Sequence, residues 1–252
     1  MYCKLTEAEF CAINFMKAGE KVLEKMEINP VAIIKNGYVE KFGVPRQSGL
    51  APSVKSEIIF EKDFRDENML RDIEQYSHLW LIWGFSENAE KWSPTVRPPK
   101  LGGNKRVGVF ATRSPFRPNS LGLTVVKLEE VKNTEKGKIL VVSGADLKND
   151  TPIFDIKPYL PYADSVPDAV GGFSDKHKDE VLHVEMKADL NLILSQEEKD
   201  EISEILSLNP RPSYHNDEER VYGLSYKNLS VKFVYKEDAI MVVGVERTIE
   251  NA

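Results

Sequence analysis

The chain has little of what binds metals or forms disulfides. Among 252 residues there are two cysteines, Cys3 and Cys11, and four histidines, His78, His177, His183 and His215. Two thiols near the amino terminus and imidazoles scattered without ligand spacing exclude a disulfide framework and a structural zinc site, and no metal is expected. Small thiols in a reducing compartment are the simpler reading. Long apolar runs are missing too. The longest, over 78–85, falls far short of the roughly 20 residues that cross a bilayer, so no membrane helix is expected. The amino terminus, Met1-Tyr2-Cys3-Lys4-Leu5-Thr6-Glu7, has neither the basic region nor the apolar stretch of a secretory signal, and a cytoplasmic location is expected. Gly-x-Gly-x-x-Gly, Walker A, Gly-x-Ser-x-Gly and His-x-x-x-His sequences are all absent, which excludes the usual nucleotide cradles and hydrolase elbows.

What is present is enough to fold. With 41% hydrophobic residues the chain can bury a real core, and its length fits one large domain or a main domain with a smaller partner. The 34 Lys+Arg and 40 Asp+Glu leave a net charge of −6, which at face value speaks against a nucleic-acid partner.

Residues 5–27 read as an amphipathic helix. Thr6 and Glu9 form a capping-box pattern, Phe10, Ile13, Met16, Val22, Leu23 and Met26 return on one face, and Asn29-Pro30 stops it. Short β-like runs follow, separated by Gly, Pro and Asn, at 31–34, 56–60, 79–85, 107–112, 123–131 and 139–144. Strands at this spacing, with no helix after each, predict an antiparallel barrel or coiled sheet and argue against a doubly wound domain. One internal helix is expected over 64–76. Past residue 176 the charge density rises. Ser195-Gln196-Glu197-Glu198 opens a surface helix over 195–206, and strands at 229–235 and 240–245 are joined by a hairpin at 236–238. The expectation is an α+β protein: an amino-terminal helical extension (1–28), a mainly antiparallel β-barrel body (29–175) and a smaller α/β carboxy-terminal domain (176–252).

The charge is unevenly placed. Between Lys91 and Leu128 lie Lys91, Arg97, Lys100, Lys105, Arg106, Arg113, Arg117 and Lys127, eight basic residues with not one of the chain's 40 carboxylates, which leaves −14 for the remainder. The same stretch is dense in Pro and Gly. Rigid loops carrying fixed cations suit an anion site, because little ordering remains to be done when the ligand arrives. A solvated basic face fits the composition equally well.

Three segments carry a resemblance. They are Glu40-Lys41-Phe42-Gly43-Val44-Pro45-Arg46-Gln47-Ser48-Gly49-Leu50; Arg97-Pro98-Pro99-Lys100-Leu101-Gly102-Gly103-Asn104 continuing through Gly108-Val109-Phe110-Ala111-Thr112-Arg113-Ser114-Pro115-Phe116-Arg117-Pro118-Asn119-Ser120-Leu121-Gly122-Leu123; and Asp155-Ile156-Lys157-Pro158-Tyr159-Leu160-Pro161-Tyr162-Ala163-Asp164. With Pro210-Arg211-Pro212-Ser213-Tyr214 they cover roughly residues 29 to 247, and the chain resembles the YaeB/TsaA-like family of tRNA methyltransferases. The resemblance implies a barrel that binds S-adenosylmethionine, a small carboxy-terminal domain that helps hold tRNA, and a homodimer. It implies methylation of N6 of N6-threonylcarbamoyladenosine beside the anticodon, at position 37 of a threonine tRNA. Carried over by motif, the donor site uses Pro45, Arg46, Gln47, Ser86, Glu87, Arg113, Leu123 and the loop Asn149-Asp150-Thr151-Pro152. That loop departs from the family's usual Asp-Gly-Thr-Pro, and Ser86 stands where relatives commonly have His. The Asp/Asn-Pro-Pro-Tyr/Phe sequence of many adenine N6-methyltransferases is absent, so a different scaffold holds the donor.

The residue types fit that chemistry. Arg113 suits the donor's carboxylate or RNA phosphates through a charge-assisted fork. Glu87 has no positive sequence neighbour before Lys91; a ribose acceptor and a solvated strand-end carboxylate are equally good readings. Gln47 and nearby backbone can meet an adenine edge, or the loop is a plain turn. Leu123 offers an apolar wall. Asp155, Lys157 and Tyr159 alternate along an extended segment and share one side of it, either to orient the modified base as catalytic residues or as a salt-bridged strand end. For RNA, Lys91, Arg97, Lys100, Lys105, Arg106, Arg117 and Arg211 supply phosphate contacts, and Tyr214, Trp92 and Phe116 supply stacking surfaces, with at least one of these aromatics expected in the core. The helix near Glu197 to Glu204 is expected to stay away from RNA. Two other functions remain open on sequence: a non-catalytic module that binds the donor or RNA, and a methyltransferase acting on another nucleoside or a small metabolite.

Overall fold

The computed structural model describes residues 11–16, 23–87, 92–176, 181–211, 220–237 and 239–248. Where the sequence pattern suggests a leading helix, the structure has an antiparallel pair, β1 (Cys11–Met16) with β2 (Leu23–Ile28), Cys11 opposite Ile28 and Ile13 opposite Met26. Cys11, Ile13 and Phe15 alternate at period two as well as Phe10, Ile13 and Met16 do at period three. The Thr6 and Glu9 pattern lies outside the described residues.

The main body is built from β3 (Ala32–Lys35), β4 (Lys55–Phe60), β5 (His78–Gly84), the short pair β6 (Thr95–Val96) and β7 (Val107–Gly108), then β8 (Leu121–Thr134), β9 (Gly137–Ser143) and β10 (Pro152–Pro158). Six of them follow the order β10-β3-β4-β9-β8-β5, all antiparallel. Because β10 bonds to β3 on one edge and β5 on the other, the ladder closes as a barrel. Alternation drives it: Ile34, Ile58, Leu79, Leu81, Val126, Leu140, Val142 and Ile153 all point inward and are fully buried. A register shift in β10 between Ile153 and Asp155 hid this strand from a period-two reading.

Two expectations are corrected here. Residues 64–76 form no continuous helix; they hold 3-10 turns at Glu67–Leu70 and Ile73–Gln75, after one at Lys62–Phe64. Asp66 accepts from the Asn68 amide and Asp72 is left-handed (φ 66°), so each starts a new turn and ends the previous one. Likewise 107–112 is extended only at Val107–Gly108, and Val109–Ala111 curls into a 3-10 turn, its Val109 amide donating to Pro94 at 3.0 Å.

After two single-turn helices, α1 (Pro161–Asp164) and α2 (Phe173–Lys176), the chain forms β11 (His183–Met186), α3 (Gln196–Ser207), β12 (Tyr222–Tyr226), β13 (Leu229–Lys236) and β14 (Ala239–Arg247). The four strands lie in the order β11-β14-β13-β12, with β11 parallel to β14. Ser195 caps α3 in a complete capping box with Glu198. This helix is less solvated than its charge suggests. Glu198 bonds to Arg247 at 2.9 and 3.0 Å, Glu201 is 1% exposed and pairs with Lys227 at 2.6 Å, and Glu204 accepts from the Ser53 amide at 2.8 Å.

The second core joins Ile202, Ile205 and Leu206 of α3 to Leu224, Tyr226, Val231, Phe233 and Val242 of the sheet. It also takes in Tyr38, Ala51 and Val54, which belong to the β3–β4 loop. Tyr38 meets the edge of Tyr226 (5.8 Å between centroids), Lys227 donates to Gly37 at 2.9 Å, and Ser225 donates to Glu40 at 2.7 Å.

Gly122 of β8 sits directly against the Trp83 indole, where an added Cβ would collide with the ring. Trp83 is buried and its Nε1 donates to Thr124 at 2.9 Å, so it has no room to yield. Gly122→Ala is expected to destabilise the fold by about 1–3 kcal/mol, read as a lower midpoint in urea unfolding; an unchanged midpoint would contradict this packing.

Candidate functional site

Antiparallel pairing brings the ends of β3, β5 and β9 and the starts of β4, β8 and β10 to one end of the barrel. Three loops leave that rim, 36–54, 85–120 and 144–151, and together with the starts of β8 and β10 they carry every residue expected to hold the methyl donor. The loops are tied to one another. Arg113 Nη1 donates to Gln47 Oε1, joining the second loop to the first. The Gly49 amide donates to Gly144 at 2.8 Å, joining the first to the third. Glu87 is ion-paired with Lys148 and, at 3.5 Å, with Lys41, so it touches both other loops. These cations come from distant sequence, and Lys148, the stronger influence, holds the Glu87 carboxyl below its ordinary value.

The turn 147–151 is closed by its own polar groups. The Asn149 amide donates to Tyr38 at 2.9 Å, its Oδ1 accepts from the Asn36 amide at 3.0 Å, and the Asp150 amide donates to Ile34 at 2.9 Å. Asp150 adopts φ 66°, the left-handed geometry that the family's Gly takes without strain, and it is ion-paired with Lys35. Thr151 Oγ1 donates to the Lys148 carbonyl at 2.8 Å. Pro152 opens β10.

Leu123 stands 55% exposed on the outer wall of β8, an apolar surface just below the rim. It shares a cross-strand row with Ile82 and Asp155, while Lys157 lies two rows lower, beside Trp80. Tyr159 lies lower still, its amide donating to His78 at 3.0 Å. Of the three expected catalytic residues, then, Asp155 alone lies in the Leu123 row. It is also ion-paired with Lys157 at 2.6 Å, on one face as the alternation requires.

Within the Pro45-Arg46-Gln47 loop the side chains part company. Gln47 meets Arg113, whereas Pro45 and Arg46 line a cavity of about 200 Å3 against Ile205, Leu208 and Pro210. Arg46 also acts electrostatically on Tyr235, whose hydroxyl is pushed up to about 12 by burial, an effect opposed by Arg211 and Arg46. Arg211 itself lies over the Tyr235 ring at 4.3 Å.

The basic excursion divides by role. Arg106 clamps Thr95, to Oγ1 at 2.8 Å and to the carbonyl at 3.2 Å, and Arg117 donates to the Thr112 carbonyl at 3.1 Å. Arg97 and Lys105 are exposed. Trp92 and Phe116 are both exposed too, so the expectation that at least one of the three named aromatics is core rests on Tyr214. Lys91, Tyr214 and the Lys100 side chain lie outside the described residues.

Sequence reading missed Asp146. Its carboxylate accepts from Thr124 Oγ1 at 2.7 Å, and Thr124 in turn accepts from Trp83, so a chain from two buried groups to the half-buried Asp146 runs beneath the rim. Burial raises the Asp146 pKa, opposed by the Thr124 bond, its own amide and the charge of Arg113. The available signal was a lone carboxylate in the apolar run Val141-Val142-Ser143-Gly144-Ala145-Asp146-Leu147.

No group of His, Cys, Asp and Glu among the described residues is arranged to hold a metal ion, and none of the described helices is long and apolar enough to cross a membrane.

Because the native state raises the pKa of Asp146, this group favours folding at acid pH, and that contribution is lost as pH rises through its native pKa. Asp146→Asn keeps an oxygen for Thr124 and removes the titration. Urea unfolding at several pH values should show the variant gaining stability relative to wild type from about pH 4 to neutrality; a difference independent of pH would contradict the burial of a charged carboxylate.

Comparison with known proteins agrees with this layout. The family model for the tRNA-methyltransferase O N-terminal domain matches residues 33–165, and that for the TrmO C-terminal domain matches 179–248. The chain is 36% identical over 233 residues to the tRNA (adenine(37)-N6)-methyltransferase of Escherichia coli (strain K12), covering 89% of this chain and 99% of that one. It is 39% identical over 228 residues to a Pseudomonas aeruginosa protein called putative S-adenosylmethionine-dependent methyltransferase RcsF, covering 86% and 96%. A crystal structure of TrmO from Pseudomonas aeruginosa superposes with a TM-score of 0.71 at 32% identity, covering 88% of this chain and all of that one. Matched along both parts of its length in sequence and in fold, the chain belongs to the TrmO family.

Proposed function

We propose that the protein is an S-adenosylmethionine-dependent tRNA methyltransferase that methylates N6 of the N6-threonylcarbamoyladenosine at position 37, with threonine tRNA as its substrate. The observation that carries this reading is the convergence of all three donor loops at one barrel rim, joined by the Arg113–Gln47 bond and continuous with an excursion free of acidic residues. The relatives' names supply the reaction. The proposal includes a division of labour in which residues 29–175 bind the donor and 176–252 help hold tRNA after an extension at 1–28. It also includes a homodimer, as the family resemblance implies, working in the cytoplasm, as the amino-terminal sequence suggests.

The residues at the rim fit the donor. Arg113 offers a guanidinium fork to a carboxylate, with one N–H already steadied by Gln47. Glu87 offers a carboxylate to a ribose diol, held in place by Lys148 and Lys41. Leu123 offers an apolar wall, and the 147–151 turn offers backbone fixed by its own hydrogen bonds. When bound, S-adenosylmethionine supplies a methyl group activated by its sulfonium.

The remaining work falls to the protein. The acceptor N6 is a poor nucleophile, because its lone pair is shared with the purine and the urea-like carbonyl, so its placement in line with the methyl group supplies much of the rate. Its proton must also leave, to a side chain or to water. Asp155, in the Leu123 row, is the carboxylate we assign to orient that end of the base, and Lys157 fixes its direction. The charge of Arg113 in turn favours the ionised form of Asp146.

Three measurements test this. With labelled donor, the protein should methylate threonine tRNA that carries the threonylcarbamoyl group and leave unmodified tRNA unlabelled; donor binding without transfer would favour the non-catalytic module. Arg113→Ala should weaken donor binding by tenfold or more in calorimetry, the scale of a lost charge-assisted bond. In addition, tRNA affinity should fall steeply with added salt, and a flat response would refute phosphate recognition by the basic excursion.

A further inference from the structure

The 3-10 turn Val109–Ala111 presents one large apolar side chain to water. Phe110 is 78% exposed, although Val109 beside it is buried at 3% and anchors the turn. The turn is held on both sides: Val109 donates to Pro94 at 3.0 Å, Thr112 donates back to Val109 through its amide at 3.1 Å and its hydroxyl at 2.8 Å. The ring is therefore not waiting for a place in the core. Arg117 lies over it, guanidinium carbon 5.9 Å from the centroid, and Arg117 is in turn fixed by the Thr112 and Ser114 carbonyls. Two more exposed aromatics stand on the same excursion. Trp92 is 56% exposed and Phe116 47%, and the Ser93 amide donates to Phe116 at 3.2 Å, which pins these two stretches side by side.

An exposed, immobilised phenylalanine backed by a guanidinium has the make-up of a stacking platform for a flat, electron-rich ligand. Its location narrows the ligand. Phe110 is three residues from Arg113, which bonds to Gln47, so whatever lies on the ring is close to the rim proposed to hold the donor. Its surroundings narrow it further. The stretch from 91 to 128 holds eight cations and no carboxylate, so a two-fold contact between copies centred on this patch would set like charges against each other, whereas a polyanion complements it.

We propose that Phe110, with Arg117 behind it, is the platform on which a nucleobase flanking the target adenosine stacks when the anticodon loop is bound. This rests on the reading of the protein as a tRNA methyltransferase. The inserted base has its own face buried on the ring, and the phosphates on either side face Arg97 and Lys105. Aromatic stacking tolerates any base, so the platform would set the position of the loop more than its sequence.

The test uses the full chain and an anticodon stem-loop RNA carrying the threonylcarbamoyl group, with 5-iodouridine placed on one or the other side of the target. Methyl transfer by the wild-type protein to the unsubstituted stem-loop is measured separately and reports on the function alone. Phe110→Leu keeps an apolar side chain of similar bulk without a π face, and Phe110→Trp restores one. The expected result is a photocrosslink that maps to residues 109–111, RNA affinity about tenfold weaker for Phe110→Leu, and affinity near wild type for Phe110→Trp. Donor affinity and sedimentation should be unchanged in both variants. A crosslink elsewhere, or RNA affinity unaltered in Phe110→Leu, overturns the proposal. A parallel loss of donor affinity would place the ring in the donor site, and an altered oligomeric state would make it a contact between copies of the chain; either result also overturns it.

Discussion

The segment between β3 and β4 is held by two structures at once, and the geometry of the rim depends on it. Its Tyr38, Ala51 and Val54 are buried among the side chains of α3 and the carboxy-terminal sheet, while its Gln47 and Gly49 reach to the second and third barrel loops. Burial of three apolar side chains in a core that the barrel does not own fixes a loop that would otherwise be free to move. Asn36 extends the same arrangement, donating its amide to Asn149 and its side chain to the Leu147 carbonyl at 2.9 Å. The rim is thus organised from outside the barrel as much as from within it.

Charge follows a similar division. The carboxylates of α3 look from sequence like a solvated face, yet Glu198, Glu201 and Glu204 recur every three residues and each is taken up by Arg247, Lys227 or Ser53. Their acidity is consumed in fastening the helix to the sheet and to the β3–β4 loop. The cations of the 91–128 stretch have no such acidic partners within it. Some are spent on architecture, as with Arg106 and Arg117, and others such as Arg97 and Lys105 face solvent. The net charge of the whole chain describes neither region.

Much of the fold is legible in the sequence where a pattern is long and local. The strands β3, β4, β5, β8, β9, β13 and β14 are short β-like runs set between turn formers, and α3 announces itself by Ser195 and Glu198. The misses have particular causes. The run from Phe10 to Met26 satisfies both periods, and pairing across the strands decides for β. In 64–76 two aspartates break the helix, one by bonding its neighbour's amide and one by turning left-handed. At the site, family motifs identify the three loops but cannot reveal that Glu87 is flanked by Lys148 and Lys41 or that Arg46 and Gln47 diverge, because those facts depend on chain segments far apart in sequence. Asp146 is invisible for the same reason: nothing local marks a carboxylate as the acceptor for a buried threonine brought in from residue 124.

The divided allegiance of residues 36–54 bears on how such a protein can change over evolutionary time. A barrel exchanged for another, or a carboxy-terminal sheet replaced by a foreign one, would leave Tyr38 and its companions facing the wrong surface, and the misfit would be transmitted to Gln47 and the turn at Asn149. The heritable module is therefore not either half but the pair together with the strap between them. Recombination that respects only the boundary near residue 176 would separate pieces that are adjacent in space.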